Sequence, residues 1–158
     1  MELKDAIYKI LDGNCMIFTG SGFSLGATNI KQENSGMLKA YELANYLYDE
    51  CGYNVQDGNL TNASNLYQKK FGPHKLIELL KQEYTVRSIS PDQEYIGSLP
   101  WLRIYTTNYD KIVELSYEKN KKYLTPVTLS CRINDYKDKS KLCLHLNGYK
   151  YRNNIYEK

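Results

Sequence analysis

The chain has 158 residues, enough for one domain with a sizeable core, and its 42% hydrophobic and 25% charged residues are the composition of a soluble globular protein. No apolar run approaches membrane-spanning length, and Met1-Glu2-Leu3-Lys4-Asp5 has no signal-peptide character, so no membrane partner is expected and the cytoplasm is the expected location. The formal charge of +3 is spread along the chain, and the four cysteines, Cys15, Cys51, Cys131 and Cys143, form no C-x-x-C pair, which argues against nucleic acid as a ligand, a zinc ribbon and a dense disulfide framework.

Leu3, Ile7, Ile10 and Leu11 recur at helical spacing and stop at Asp12-Gly13, which predicts an opening amphipathic helix. Cys15 to Thr19 reads as a buried strand running into a glycine corner, and Thr28 to Ser35 as a polar loop. From Gly36 to Cys51 a stripe of Leu38, Tyr41, Ala44, Leu47 and Tyr48 predicts a second helix ending at Gly52. Thr61 is the expected cap of a helix reaching Phe71, and Gly72-Pro73 closes it and opens another through Leu76, Ile77, Leu79 and Leu80. Ser90-Pro91-Asp92-Gln93 has the form of a capping box. Residues 36–99 therefore read as a helical module inserted between two strands.

Beyond it, Leu102 to Thr106 reads as a strand, Asp110 to Tyr117 as a helix and Val127 to Leu129 as a short strand. Lys141 to Leu146 is a further strand, because Leu142, Leu144 and Leu146 alternate strictly with Cys143 and His145. Strands separated by helices point to an α/β fold, a Rossmann-like and mostly parallel sheet covered on both faces.

Three segments carry candidate chemistry. Gly20-Ser21-Gly22 follows a buried strand, where glycines allow a tight turn and close approach to a ligand, and a helix start offers unpaired amides to an anion such as a pyrophosphate. Position 25 is Leu, so the fragment departs from G-x-G-x-x-G and is also compatible with a plain strand-to-helix turn. Thr106-Thr107-Asn108-Tyr109-Asp110 stands where a strand meets a helix; Asn108 suits a ribose hydroxyl or an attacking water, while Thr107 or Asn108 can equally serve as a helix cap. In Leu142 to Gly148, alternation sets Cys143, His145 and Asn147 on the face opposite the leucines, and His145 is a candidate acid or base at a strand end.

In this order, "GSGFS", "TTNYD" and "LHLNG" resemble the glycine loop, the Thr-x-Asn-x-Asp segment and the histidine-glycine strand end of the sirtuin superfamily. The "TTNYD" form, the helical insert and the lack of zinc cysteines look more like the sirtuin-like domains of bacterial antiviral defence systems than like protein deacetylases. The resemblance spans roughly residues 3 to 150. It implies NAD as substrate, with no metal and no zinc domain, and an NAD glycohydrolase releasing nicotinamide and ADP-ribose in abortive infection. By the same resemblance, Gly20, Ser21, Gly22, Phe23 and Ser24 lie against the phosphates and ribose, with Thr107 and Asn147 beside them. Asn108 matches the family's catalytic asparagine and Asp110 its partner at the nicotinamide pocket. The family has histidine directly before the glycine. Here Asn147 stands there, and His145, two residues earlier on the same strand face, is the expected base. The family also continues past this histidine, so residues 1–158 read as the N-terminal part of a longer domain. A homo-oligomer or a partner defence protein is the expected assembly. The alternative reading is a module that binds NAD or an ADP-ribose nucleotide, or oligomerises, without turnover.

Overall fold

A computed structural model describes residues 2–31, 36–132, 136 and 141–148 of the chain. In chain order the elements are α1 (Leu3–Leu11), β1 (Met16–Thr19), a 3-10 turn (Ser21–Ser24), β2 (Thr28–Asn29), α2 (Ala40–Cys51), α3 (Leu60–Phe71), α4 (Pro73–Tyr84), β3 (Val86–Ser88), α5 (Pro91–Ser98), β4 (Arg103–Thr106), α6 (Ile112–Lys119), β5 (Thr125–Thr128) and β6 (Leu142–His145). They form two compact units, one of Met1–Ala27 with Ser88–Lys158 and one of Thr28–Arg87. Residues 32–35 of the expected polar loop lie outside the described residues.

The first unit is a mixed α/β structure with a four-stranded parallel sheet in the order β1-β4-β6-β5, flanked by helices. Register places Ile17 beside Ile104 and Ile104 beside Cys143, so these three share one face. That face packs with Ile96 of α5, with Val113 and Tyr117 of α6, and with Leu99 and Trp101 in a single apolar cluster. Trp101 anchors it by donating its indole N–H to the Ile96 carbonyl at 2.8 Å. Helices α5 and α6 touch closely at Gly97, where an added Cβ would lie 2.5 Å from the Ser116 carbonyl oxygen.

The opposite sheet face differs from the expectation of full cover. Phe18 and Met16 of the edge strand β1 are 64% and 63% exposed, although Val127 at the far side is buried. Helix α1 is amphipathic as its spacing predicts, yet Leu3, Ile7 and Leu11 are exposed and Ile10 alone joins the apolar cluster. The leucines of β6 also lie on the less buried side: Leu142 and Leu144 are half-buried, whereas Cys143 and His145 are fully enclosed.

In the second unit, helices α2, α3 and α4 enclose Leu43, Ala44, Leu47, Tyr48, Ala63, Tyr67, Leu76 and Leu79. The cap of α3 is Asn59, which accepts from the Asn62 amide at 3.1 Å, and not Thr61, because the helix begins two residues earlier than expected. Helix α2 ends at Gly52 in the left-handed region (φ 83°), and Pro73 occupies the first turn of α4. Sequence periodicity gives no sign of the two-stranded sheet β2-β3, whose strands are two and three residues long. Glu83 is buried beside it and accepts from Asn29 Nδ2 (3.1 Å) and the Leu38 amide (2.8 Å), with Lys31 Nζ at 3.7 Å.

Candidate functional site

Strands β1, β4 and β6 are neighbours and parallel, and their register aligns Thr19 with Thr106 and Thr106 with His145. The three segments singled out in the sequence therefore leave the sheet side by side at one rim, where open α/β sheets hold their ligands. Backbone bonds continue the ladder past the strand ends: the Thr107 amide donates to the Thr19 carbonyl (3.1 Å) and the Leu146 amide to the Thr106 carbonyl (2.8 Å). Asn147 is exposed and donates from Nδ2 to the Thr107 carbonyl at 3.1 Å.

Asn108 joins two of these segments. Its backbone amide donates to Thr106 Oγ1 (3.0 Å), and its Nδ2 donates to the Gly20 carbonyl (2.8 Å) and to Ser24 Oγ (3.0 Å). Both amide protons are thus directed inward, and Oδ1 is left as the accepting end of the side chain. Ser24 in turn donates to Asp110 Oδ2 at 2.6 Å, and Asp110 Oδ1 accepts from the Ile112 amide at 3.1 Å at the start of α6. Burial raises the Asp110 carboxyl above the ordinary aspartate range, against the lowering effect of the bonds from Ser24 and Ile112.

The corner itself is a 3-10 turn, not the helix start its sequence suggests, so Ser24 caps no helix. Its shape is held from α5, where Gln93 closes the expected capping box with Ser90 and also donates from Nε2 to the carbonyls of Phe23 (2.5 Å) and Leu25 (3.1 Å). Neither Gly20 nor Gly22 has a positive φ. The backbone at these two positions is accessible to any residue, and an added Cβ at Gly22 would meet no atom within 4 Å, so the turn itself does not demand glycine there. Ser21 and Gly22 are exposed, whereas Phe23 packs against the apolar cluster of the first unit.

His145 lies behind Asn108, with no solvent exposure. Its Nδ1 donates to the Asn108 carbonyl at 3.0 Å, and its Nε2 stands 2.8 Å from Glu114 Oε1 of α6 and 3.8 Å from Cys143 Sγ. Carbonyl and carboxylate are both acceptors, so either the imidazole carries both protons or Glu114 carries one. The second carboxylate oxygen of Glu114 and the hydroxyl of Tyr117 are buried without a hydrogen-bond partner among the described residues. Burial, then the Glu114 carboxylate, push the Cys143 thiol strongly up, and burial together with Cys143 pushes the Tyr117 phenol up to about 12.

Of the expected site residues, the structure unites Gly20, Ser24, Asn108 and Asp110 in one hydrogen-bonded group and sets Asn147 against Thr107. It ties His145 to that group through the Asn108 backbone, on the interior side. Sequence reasoning missed Gln93 as the brace of the corner and Glu114 as the partner of His145. The signal for Glu114 is its spacing on α6, three residues before the core residue Tyr117 and four after Asp110. Compared with protein-family models and with curated proteins, the chain matches none.

Proposed function

We propose that the rim formed after β1, β4 and β6 binds NAD and that the protein cleaves it to nicotinamide and ADP-ribose, as an effector of antiviral defence acting as a homo-oligomer or with a partner defence protein. In this reading the parallel sheet and its flanking helices are a Rossmann-like domain, with no zinc module, and residues 36–99 are a helical insert within it, of which α5 falls in the first unit. The observation that carries it is the convergence of the three resembling segments, with the Asn108 amide oriented by Gly20 and Ser24.

The reaction breaks the bond between the ribose anomeric carbon and the nicotinamide nitrogen, whose electron pair leaves with nicotinamide. Water then forms the new C–O bond and releases a proton to solvent. The acceptor Oδ1 of Asn108 suits a ribose hydroxyl or that water, and Asp110 holds Ser24, which holds the amide. His145, bonded to the Asn108 carbonyl, acts as a positioning residue.

A second reading is binding of NAD or ADP-ribose without turnover. It is favoured by Asn147, which cannot exchange a proton, and by the enclosure of His145. Nicotinamide release and calorimetric NAD binding, measured together on the full chain, separate the two. Release that falls roughly a hundredfold or more in Asn108→Ala, with the fold kept, supports the enzyme. NAD binding without release supports the second reading, and absence of both overturns the NAD assignment.

A further inference from the structure

The geometry points to a divalent-metal site inside the first unit, formed by Cys143 Sγ, His145 Nε2 and the Glu114 carboxylate, for a cation of the zinc class. These ligand atoms, all from buried residues, lie within 4.8 Å of one another. Two come from alternate positions of β6, which project to one face, and the third from α6 packed on that face.

Four features of the cluster suit a metal better than a plain hydrogen bond. Glu114 is 4% exposed and its Oε2 has no hydrogen-bond partner among the described residues, an arrangement costly to a buried carboxylate and relieved by coordination. His145 presents Nε2 to the cluster while Nδ1 donates to a backbone carbonyl, the outer bond that fixes a metal-binding histidine in its tautomer. One thiolate and one carboxylate neutralise a divalent ion, so the filled centre adds no net charge to the core. The donor set of sulfur, imidazole nitrogen and carboxylate oxygen selects zinc and its relatives over magnesium or calcium, which take all-oxygen shells.

Spacing approaches that of a filled centre, although the widest pair of the cluster, within 4.8 Å, would have to close. A tetrahedral zinc centre separates its ligand atoms by roughly 3.3–3.8 Å, given bonds of about 2.0–2.3 Å. Cys143 Sγ and His145 Nε2 stand 3.8 Å apart, and Glu114 Oε1, at 2.8 Å from Nε2, would withdraw slightly as the ion replaces the proton between them. The site would staple β6 to α6 directly behind Asn108.

The test uses the full chain, unfolded in denaturant and refolded with Co²⁺ or Zn²⁺. Expected are a thiolate-to-cobalt absorption band in the near ultraviolet, tetrahedral cobalt bands in the visible, a single bound ion per chain and a melting temperature raised by added Zn²⁺. Cys143→Ser abolishes the thiolate band, Glu114→Gln weakens Co²⁺ binding roughly tenfold or more, and Cys15→Ser retains the band. The melting shift of the unaltered chain reads the site even where a variant does not fold. A chain showing neither band nor shift overturns the proposal, as does a thiolate band that survives in Cys143→Ser.

Discussion

At the scale of single residues, the group around Asn108 shows how a neutral amide becomes directional. Free in a loop, Asn108 would donate and accept with equal ease; with Nδ2 bonded to Gly20 and Ser24, only its oxygen end remains. Asp110 sits behind this arrangement at a cost that depends on pH. Burial raises its carboxyl above the ordinary value of 3.8, so the folded chain keeps the proton to higher pH than the unfolded chain does. As pH rises through that window the unfolded state ionises first and stability falls; once the folded-state carboxyl has ionised, the loss stays constant. Asp110→Asn removes this dependence while its one side-chain oxygen still accepts from Ser24, at the loss of the bond from the Ile112 amide. Denaturant titrations from acid to neutral pH are therefore expected to show the variant gaining stability relative to the unaltered protein. A relative loss would mean that the bonds from Ser24 and Ile112 outweigh burial.

Between elements, the approach of α5 to α6 is set by Gly97. An added Cβ would lie 2.5 Å from both the carbonyl oxygen and Oγ of Ser116, so the obstacle includes backbone and not merely a movable side chain. Alanine gains about 1 kcal/mol over glycine in helix propensity, but overpacking costs about 1–3 kcal/mol and more where backbone must move. Gly97→Ala is accordingly expected to lower stability despite the better helix former, and a melting temperature equal to or above that of the unaltered chain would refute the close approach. The neighbouring corner depends on the same element, since Gln93 of α5 holds the Phe23 and Leu25 carbonyls. Loosening α5 is thus felt at Ser24 and Asn108.

At the scale of the whole molecule, each of the two units has an apolar cluster of its own. Leu47 is fully enclosed in the second unit, among residues of α2, α3 and α4. Leu47→Ala removes buried methyl groups and leaves a void, and is expected to cost about 2–5 kcal/mol in chemical denaturation. Because Leu47 belongs to neither the rim nor the Asn108 group, nicotinamide release per folded molecule should stay unchanged. A large rate loss in folded variant would tie this unit to turnover. Among the described residues no helix is long and apolar enough to cross a membrane.

The amino-acid order alone determined much of the local structure, because helix and strand periods and cap chemistry act over a few residues. The stripe from Leu3 to Leu11, the Gly72-Pro73 break, the Ser90–Gln93 box and the alternation of Leu142 to His145 all became the elements they predict. Those same signals were silent where the outcome depends on what packs nearby. Alternation separated the leucines of β6 from Cys143 and His145, but only the docking of α6 made the cysteine and histidine side the enclosed one. The apolar stripe of α1 predicted an amphipathic helix, and the fold leaves most of that stripe exposed. Metal-ligand spacing is read along a chain, so a cluster built from two strand positions and a distant helix carries no local signature. Parallel pairing of β1, β4 and β6 brings Gly20, Asn108 and Asn147 to one rim, a juxtaposition of residues 88 and 39 positions apart that only long-range strand contacts create.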